Sequence, residues 1–241
     1  MASIAEVCWR SGRDTGSVRL VAVSKTVGLP EIDAAIAAGL SDFGENRSQD
    51  FVSRQAAFKA VNWHFIGRIQ TNKVRDFVQA STEVTEATAT ATAGLTESTA
   101  LAVAPIAALV HSVASERALL AIDRRATSLA IRQPLLIEVN TSGESTKDGV
   151  TLAGLPKLLE TASNLASVSI EGLMTMAPIA DTDTVRQCFS ALREARDAMQ
   201  ASFAGSENLR LNELSMGMSD DFIPAIEEGA TILRIGRGIW R

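Results

Sequence analysis

Val18 to Ser24 reads VRLVAVS, and Pro30 to Ala38 follows it as PEIDAAIAA, with Gly39 next. The first stretch is a short β-branched and apolar run. In the second, proline suits a first helical turn and the glycine a C-terminal cap. This pairing of strand and helix recurs along the chain. Further strand candidates are Asp42–Glu45 (DFGE), Trp63–Gly67 (WHFIG), Leu109–Val113 (LVHSV), Leu135–Asn140 (LLIEVN), Val168–Thr175 (VSIEGLMT), Leu211–Met216 (LNELSM) and Thr231–Ile235 (TILRI), eight in all. Strands alternating with helices at this spacing imply βα units and a parallel sheet, whose strands are buried on both faces and read as apolar runs. Eight units in 241 residues match the size of a (β/α)8 barrel, so the expected fold is α/β, a single TIM barrel over residues 1–241.

The spacing breaks once. Trp63 and Leu109 are 46 residues apart, whereas the first two strand intervals are 21 to 24. From Ser81 to Ala104, 14 of 24 residues are Ala or Thr, and no Lys or Arg occurs from Asp76 to Glu116. The low-complexity stretch at about 81–104 reads as an insertion after the third helix. Its Thr-Ala alternation gives no amphipathic stripe, and threonine lowers helix propensity, so mobile surface polypeptide without chemistry is expected there.

Composition bounds the rest. With 46% hydrophobic and 21% charged residues in 241, the chain is an ordinary globular protein with no room for a second full-sized domain. A net charge of -5 with no local basic stripe excludes general nucleic-acid binding. There is no tyrosine, so no mechanism of this chain uses a phenol as acid or base. Cys8 and Cys188 lie far apart outside any CxxC pattern, which points to a reducing compartment. Having only His64 and His111, the chain cannot build a histidine-rich metal site. Residues 1–19 interleave Arg10, Arg13 and Arg19 with Glu6 and Asp14 and lead into no signal-type apolar stretch, so a cytoplasmic start is expected. No run reaches the roughly 18 to 20 apolar residues of a membrane span.

Barrels of this kind carry their functional residues at C-terminal strand ends and in the loops that follow. Those ends collect Lys25, Asn46, Asn140, Thr175, Ser215 and Arg234. Lys25 ends an apolar strand, and a desolvated ammonium has a pKa depressed by up to about 3 to 5 units, leaving an amine that can attack an aldehyde. The same position also fits a lysine reaching past the strand end into water. After the last two strands come LSMGMSDD (214–221) and LRIGRGI (233–239), where barrels frequently bind phosphate. Gly217 and Gly236 let backbone N–H groups approach an anion, and Ser215 and Ser219 add hydroxyls. Turn chemistry accounts for these residues equally: Ser219 as a cap, a helix starting at Asp221, and Pro224 in its first turn. Asp220 and Asp221 complement a helix dipole but oppose an anion unless they point away.

Arg234 interrupts an apolar strand, and a buried arginine needs a partner, either a pyridine nitrogen or the carboxylate of Glu138 or Glu45. His64 and His111 read as core or loop-bonded histidines, since no neighbour orients them for catalysis. Met174, Met176, Met216 and Met218 read as packing near the mouth. The GRG at 236–238 lacks the third glycine of a dinucleotide fingerprint, and neither GxxxxGK[ST] nor GxSxG occurs. A strand-end lysine, a phosphate cradle and an arginine between them would together hold a phosphorylated aldehyde with a ring nitrogen. Pyridoxal phosphate fits that description.

Six motifs then fall into one order: AVSKT (22–26), DFGEN (42–46), WHFIG followed by IQTNK (63–73), EGLMTM (171–176), LSMGMSDDF (214–222) and EEGATILRIGR (227–237). They closely resemble the pyridoxal phosphate homeostasis protein family, also described as the proline synthase co-transcribed bacterial homologue, over nearly the whole chain outside 81–104. The resemblance implies a single barrel similar to the alanine racemase N-terminal domain. It implies that Lys25 forms the Schiff base, that Asn46 lies beside the cofactor and that Arg234 faces the pyridine nitrogen. Ser215, Ser219, Gly236 and Arg237 would belong to the phosphate-binding loops; the family often has a small hydroxyl residue at 237, so Arg237 would contribute its backbone N–H. The implied function is that of a cytoplasmic, monomeric, non-catalytic carrier and regulator of vitamin B6, with apo forms of pyridoxal-phosphate enzymes as partners. Racemases of this fold class use a tyrosine from a second domain as the opposite-face base, and this chain has neither. Two other readings stay open: a slow racemase with His64 or Cys188 as second base, and a Schiff-base aldolase holding a sugar phosphate.

Overall fold

Eight parallel strands close into a ring. They are β1 (Arg19–Val23), β2 (Asp42–Glu45), β3 (Asn62–Phe65), β4 (Ala107–Val113), β5 (Gln133–Asn140), β7 (Val168–Met174), β8 (Leu209–Ser215) and β9 (Ile232–Ile235). Each pairs with the next, β5 passing directly to β7, and the β9–β1 pair completes the ring. A two-residue strand, β6 (Val150–Thr151), pairs outside the ring with the end of β5. This is the expected (β/α)8 barrel, and every ring strand lies within two residues of its apolar run at either end. The computed structural model describes residues 3–81, 104–144 and 146–240. Apart from Ser81 and Ala104, the Ala/Thr-rich stretch lies outside the described residues. Ser81 N–H donates to Ala104 O at 2.6 Å beside an antiparallel bridge of Ala80 with Pro105, so the described residues on either side of the stretch meet at one place. That place precedes β4, at the end of the barrel opposite the strands' C-termini.

Helices α2 (Leu29–Ala37), α3 (Ser48–Ala57), α4 (Val74–Phe77), α5 (Glu116–Ser128), α6 (Leu155–Ser163), α7 (Thr182–Ser202) and α8 (Phe222–Glu227) alternate with the strands. Gly39 ends α2 at φ 96, where its N–H donates to Ile36 O at 2.9 Å, the glycine cap expected there. Pro224 falls in the first turn of α8, which begins at Phe222 rather than Asp221. Among the described residues no helix follows β9. Instead α1 (Ile4–Arg10), opened by a Ser3–Glu6 capping box, packs against α8, and Arg13 Nη1 donates to Ile226 O at 2.8 Å. The N-terminal segment, read from the sequence only for its charge, thus completes the outer layer.

The core has two layers. Between strands and helices lies the larger cluster, with Phe43, Phe51, Trp63, Phe77 and Phe189 all buried. Inside the ring is a smaller one, Val21, Leu109, Leu136, Met174 and Ile232. Strand alternation sends the odd or even residues of each strand into the same interior, and several of these are polar. One stretch of β8 departs from regular pairing: Ile170 opposes Leu209, yet Gly172 opposes Glu213, so β8 carries extra residues around Leu211, whose φ is 52. A Cβ on Gly172 would lie 1.9 Å from Glu213 O, and only glycine permits this approach.

Candidate functional site

The C-terminal ends of β1, β2, β8 and β9 open into a cavity of about 820 Å³. Six of the seven residues singled out from the sequence line it: Lys25, Asn46, Ser219, Arg234, Gly236 and Arg237. Met176, Met218 and Ile223 add an exposed apolar rim, so these two methionines do more than fill the core, whereas Met174 and Met216 are buried as expected.

Lys25 follows β1 and is exposed, so the barrel walls do not supply the desolvation its strand-end position implied. What the protein does supply is a fixed backbone around it. Ser24 N–H donates to Gly44 O at 3.1 Å and Ser24 Oγ to Glu45 Oε1 at 2.6 Å. Arg54 on α3 pairs with the same Glu45 carboxylate and donates to the carbonyls of Ser24 at 2.5 Å and Val27 at 2.8 Å. Trp240 Nε1 donates to Val23 O at 2.7 Å from the other side. Glu45, considered as a partner for Arg234, belongs to this brace. Burial pushes its carboxyl up, against Ser24 and Arg54, which pull it down.

Asn46 is placed by Gly67, where a Cβ would lie 1.9 Å from Asn46 O. Across the mouth, Gly217 turns the β8–α8 loop at φ 94; a Cβ there would meet Ala225 Cβ at 2.5 Å and Leu233 Cδ2 at 2.8 Å. The two neighbouring carboxylates are both occupied. Asp221 accepts from Met218 N–H and its charge is felt at Arg234, while Asp220 pairs with Arg237 at the exposed rim. Gly236 is different from Gly67 and Gly217. Its φ is not positive, and a Cβ would meet only Val23 Cβ at 3.6 Å and Val23 O at 3.7 Å, ordinary contacts. Packing does not require glycine here, and its backbone is left open to the cavity.

Ser215 is the exception among the seven. It is fully buried and lies beneath the cavity, where its Oγ meets Arg234 Nη1 at 2.6 Å and His111 Nδ1 at 2.9 Å. Strand alternation turns its side chain into the ring below the arginine rather than into the cavity lining. Arg234 is 5% exposed and donates its second bond from Nη2 to Thr175 O at 2.9 Å. Burial lowers its pKa to about 10, with Asp221 and Glu138 opposing, so it remains a cation at neutral pH. Neither Glu138 nor Glu45 forms an ion pair with it among the described residues, and N–H donors remain for a group in the cavity.

Glu138 faces the same interior. Burial, helped by Asp148 and opposed by Arg234 and Arg68, raises its pKa to about 7. Between its ordinary value of 4.5 and about 7 the folded protein keeps a proton that the unfolded chain has lost, so stability falls as pH rises through that window. Glu138→Gln has no such penalty. Its stability relative to the parent is expected to rise by up to about 3 kcal/mol between pH 4.5 and 7, read by urea unfolding at both ends. An unchanged difference would mean that the carboxyl ionises normally.

The histidines are buried, as expected, but they do have orienting neighbours. His64 Nε2 lies 3.1 Å from Asp42 Oδ1, and His64 Nδ1 lies 2.9 Å from His111 Nε2. Burial lowers both imidazole pKa values, that of His111 most, with the Asp42 carboxylate opposing at His64.

Comparison with known proteins places this geometry. The alanine racemase N-terminal domain family matches residues 9–240. The pyridoxal phosphate homeostasis protein of Aquifex aeolicus is 39% identical over 236 residues, covering 97% of this chain and 90% of the relative. The chain belongs to the pyridoxal phosphate homeostasis protein family. A solved structure of another protein of this fold, PipY of Synechococcus elongatus with pyridoxal phosphate bound, superposes with a TM-score of 0.77 at 31% identity, covering 99% of this chain and 100% of that one. Alanine racemase from Corynebacterium glutamicum, at 14% identity and a TM-score of 0.64, shares the fold; this chain covers 58% of it. Lys25, Asn46, Ser219, Arg234 and Gly236 are set around one space sized for a small cofactor.

Proposed function

We propose that the protein holds pyridoxal 5'-phosphate in this cavity, takes part in intracellular homeostasis of that cofactor, and does not turn substrates over. The Lys25 amine adds to the cofactor aldehyde and water leaves, giving a reversible Schiff base. Ser219 and the backbone at Gly236 and Arg237 receive the phosphate, Asn46 flanks the ring, and Arg234 faces the pyridine nitrogen. The observation that carries this reading is the convergence on one cavity of an exposed amine, a buried guanidinium and a glycine that packing does not demand. PipY, solved with pyridoxal phosphate, supports the choice of ligand.

The arginine supports the absence of turnover. A cation at the ring nitrogen opposes protonation there and weakens the ring as an electron sink. The chain has no tyrosine to act as second base, and neither His64 nor Cys188 lines the cavity. We read the protein as a cytoplasmic monomer whose partners are apo forms of pyridoxal-phosphate enzymes. No described helix is long and apolar enough to cross a membrane. Purified protein is expected to gain visible absorption on addition of pyridoxal phosphate, to pass the cofactor to an apo-enzyme, and to racemise neither alanine nor serine. Steady racemisation lost in Lys25→Ala would overturn the non-catalytic reading, and a colourless protein that binds a sugar phosphate would favour an aldolase.

A further inference from the structure

The barrel interior contains an unbroken polar chain running from the N-terminal end of β2 to the cavity floor. Arg234 on β9 donates to Ser215 on β8 at 2.6 Å; Ser215 meets His111 on β4 at 2.9 Å; His111 meets His64 on β3 at 2.9 Å; His64 meets Asp42 on β2 at 3.1 Å. Five strands thus each contribute one inward polar residue to this chain, beside the interior apolar cluster of Val21, Leu109, Leu136, Met174 and Ile232. Filling the ring with apolar side chains would avoid the cost of burying these groups.

The chain has a single polarity when both rings are neutral. The guanidinium can only donate, so Ser215 Oγ accepts from it. The Asp42 carboxylate can only accept, so His64 carries its proton on Nε2 and accepts at Nδ1. His111 must then donate from Nε2 and accept at Nδ1, which takes the Ser215 hydroxyl proton. Every donor and acceptor along the line is used once, from cation to anion. Asp42 is held in place at the far end by Ser41 Oγ at 2.6 Å and Asn62 Nδ2 at 3.3 Å. Other charges acting on the line are Arg19 on β1 and Glu213 on β8 near its far end, and Asp221 before α8 and Glu138 on β5 near Arg234.

We propose that Asp42, His64, His111 and Ser215 are positioning residues: a hydrogen-bond relay of fixed polarity that pins the Arg234 guanidinium so that its remaining N–H donors face the ligand's ring nitrogen. The proposal rests on the reading of the cavity as a pyridoxal phosphate site. A fixed acceptor below the arginine holds its plane. If a second proton entered either ring, two donors would face each other or the Ser215 hydroxyl proton would lose its acceptor, so the relay keeps both rings neutral in order to work.

Three variants and one measurement without ligand test it. In ¹⁵N-histidine NMR of the unliganded protein at pH 7, both rings are expected to be neutral with the proton on Nε2. His111→Phe removes the acceptor for Ser215 and is expected to weaken pyridoxal phosphate binding about tenfold or more and to shift the pH profile of the bound cofactor's absorption. His111→Gln, whose amide can accept from Ser215 and donate to His64, is expected to stay within about threefold of the parent with the parent's pH profile. Should His111→Phe fail to fold, Ser215→Ala, a smaller change, is expected to show the same shift in profile. An Nδ1 proton on either ring, or binding and pH profile in His111→Phe or Ser215→Ala equal to the parent's, would overturn the relay alone. A parent protein that takes up no pyridoxal phosphate would overturn the cavity assignment, while the NMR still decides whether the polarity exists.

Discussion

Gly172→Ala is expected to cost at least about 4 kcal/mol of stability, a large share of the roughly 5–15 kcal/mol of a typical domain. The added Cβ would lie 1.9 Å from Glu213 O, 2.6 Å from Glu213 C and 2.7 Å from Glu213 N, all backbone atoms of the adjoining strand. No side-chain rotation relieves that overlap; the β7–β8 pair must separate where β8 already bulges around Leu211. Gly236→Ala is the control, since its Cβ would meet nothing closer than 3.6 Å and should leave thermal unfolding nearly unchanged while impeding the phosphate. Circular dichroism with urea titration measures both. A Gly172→Ala protein as stable as its parent would mean that the β7–β8 register differs from the one described.

The other large effect is functional. Lys25→Ala is expected to leave the fold intact, because the side chain is exposed and the loop around it is held by Ser24, Glu45 and Arg54 rather than by the lysine. Covalent capture of pyridoxal phosphate should disappear, and the remaining polar contacts should bind it on the order of a hundredfold more weakly. Absorption titration gives the answer directly. Lys73→Ala, outside the cavity lining, is expected to titrate like the parent. Unchanged uptake by Lys25→Ala would remove the lysine from the site.

The ring was legible because parallel strands covered on both sides must be apolar, so each stood out as a short run between helical stretches. Loop residues of the mouth were legible for another reason: strand ends and the loops after them are where a barrel can expose polar groups. Three things escaped. Residues 4–10 read only as an interrupted basic segment, although α1 fills the outer layer beside α8. The extra residues of β8 were invisible because the apolar run LNELSM was taken as the strand itself, whereas β8 begins at Leu209.

The relay escaped because its partners are 19, 22, 47 and 104 residues apart in sequence, and pairwise proximity across strands does not show in local pattern. A signal did exist. His64, His111, Ser215 and Arg234 are polar residues within buried strands, and strand parity asks what each one faces. For Arg234 the sequence offers a pyridine nitrogen or the carboxylates Glu45 and Glu138; neither carboxylate forms an ion pair with it among the described residues, because charge alone does not give strand register. Glu45 braces the Lys25 loop through Arg54.

Borohydride reduction of the protein loaded with pyridoxal phosphate, followed by proteolysis and mass spectrometry, tests the central claim most directly. The account predicts loss of visible absorption and a pyridoxyl adduct on the peptide containing Lys25. An adduct on Lys73 or Lys147 with Lys25 unmodified, or no adduct on any lysine, would contradict it.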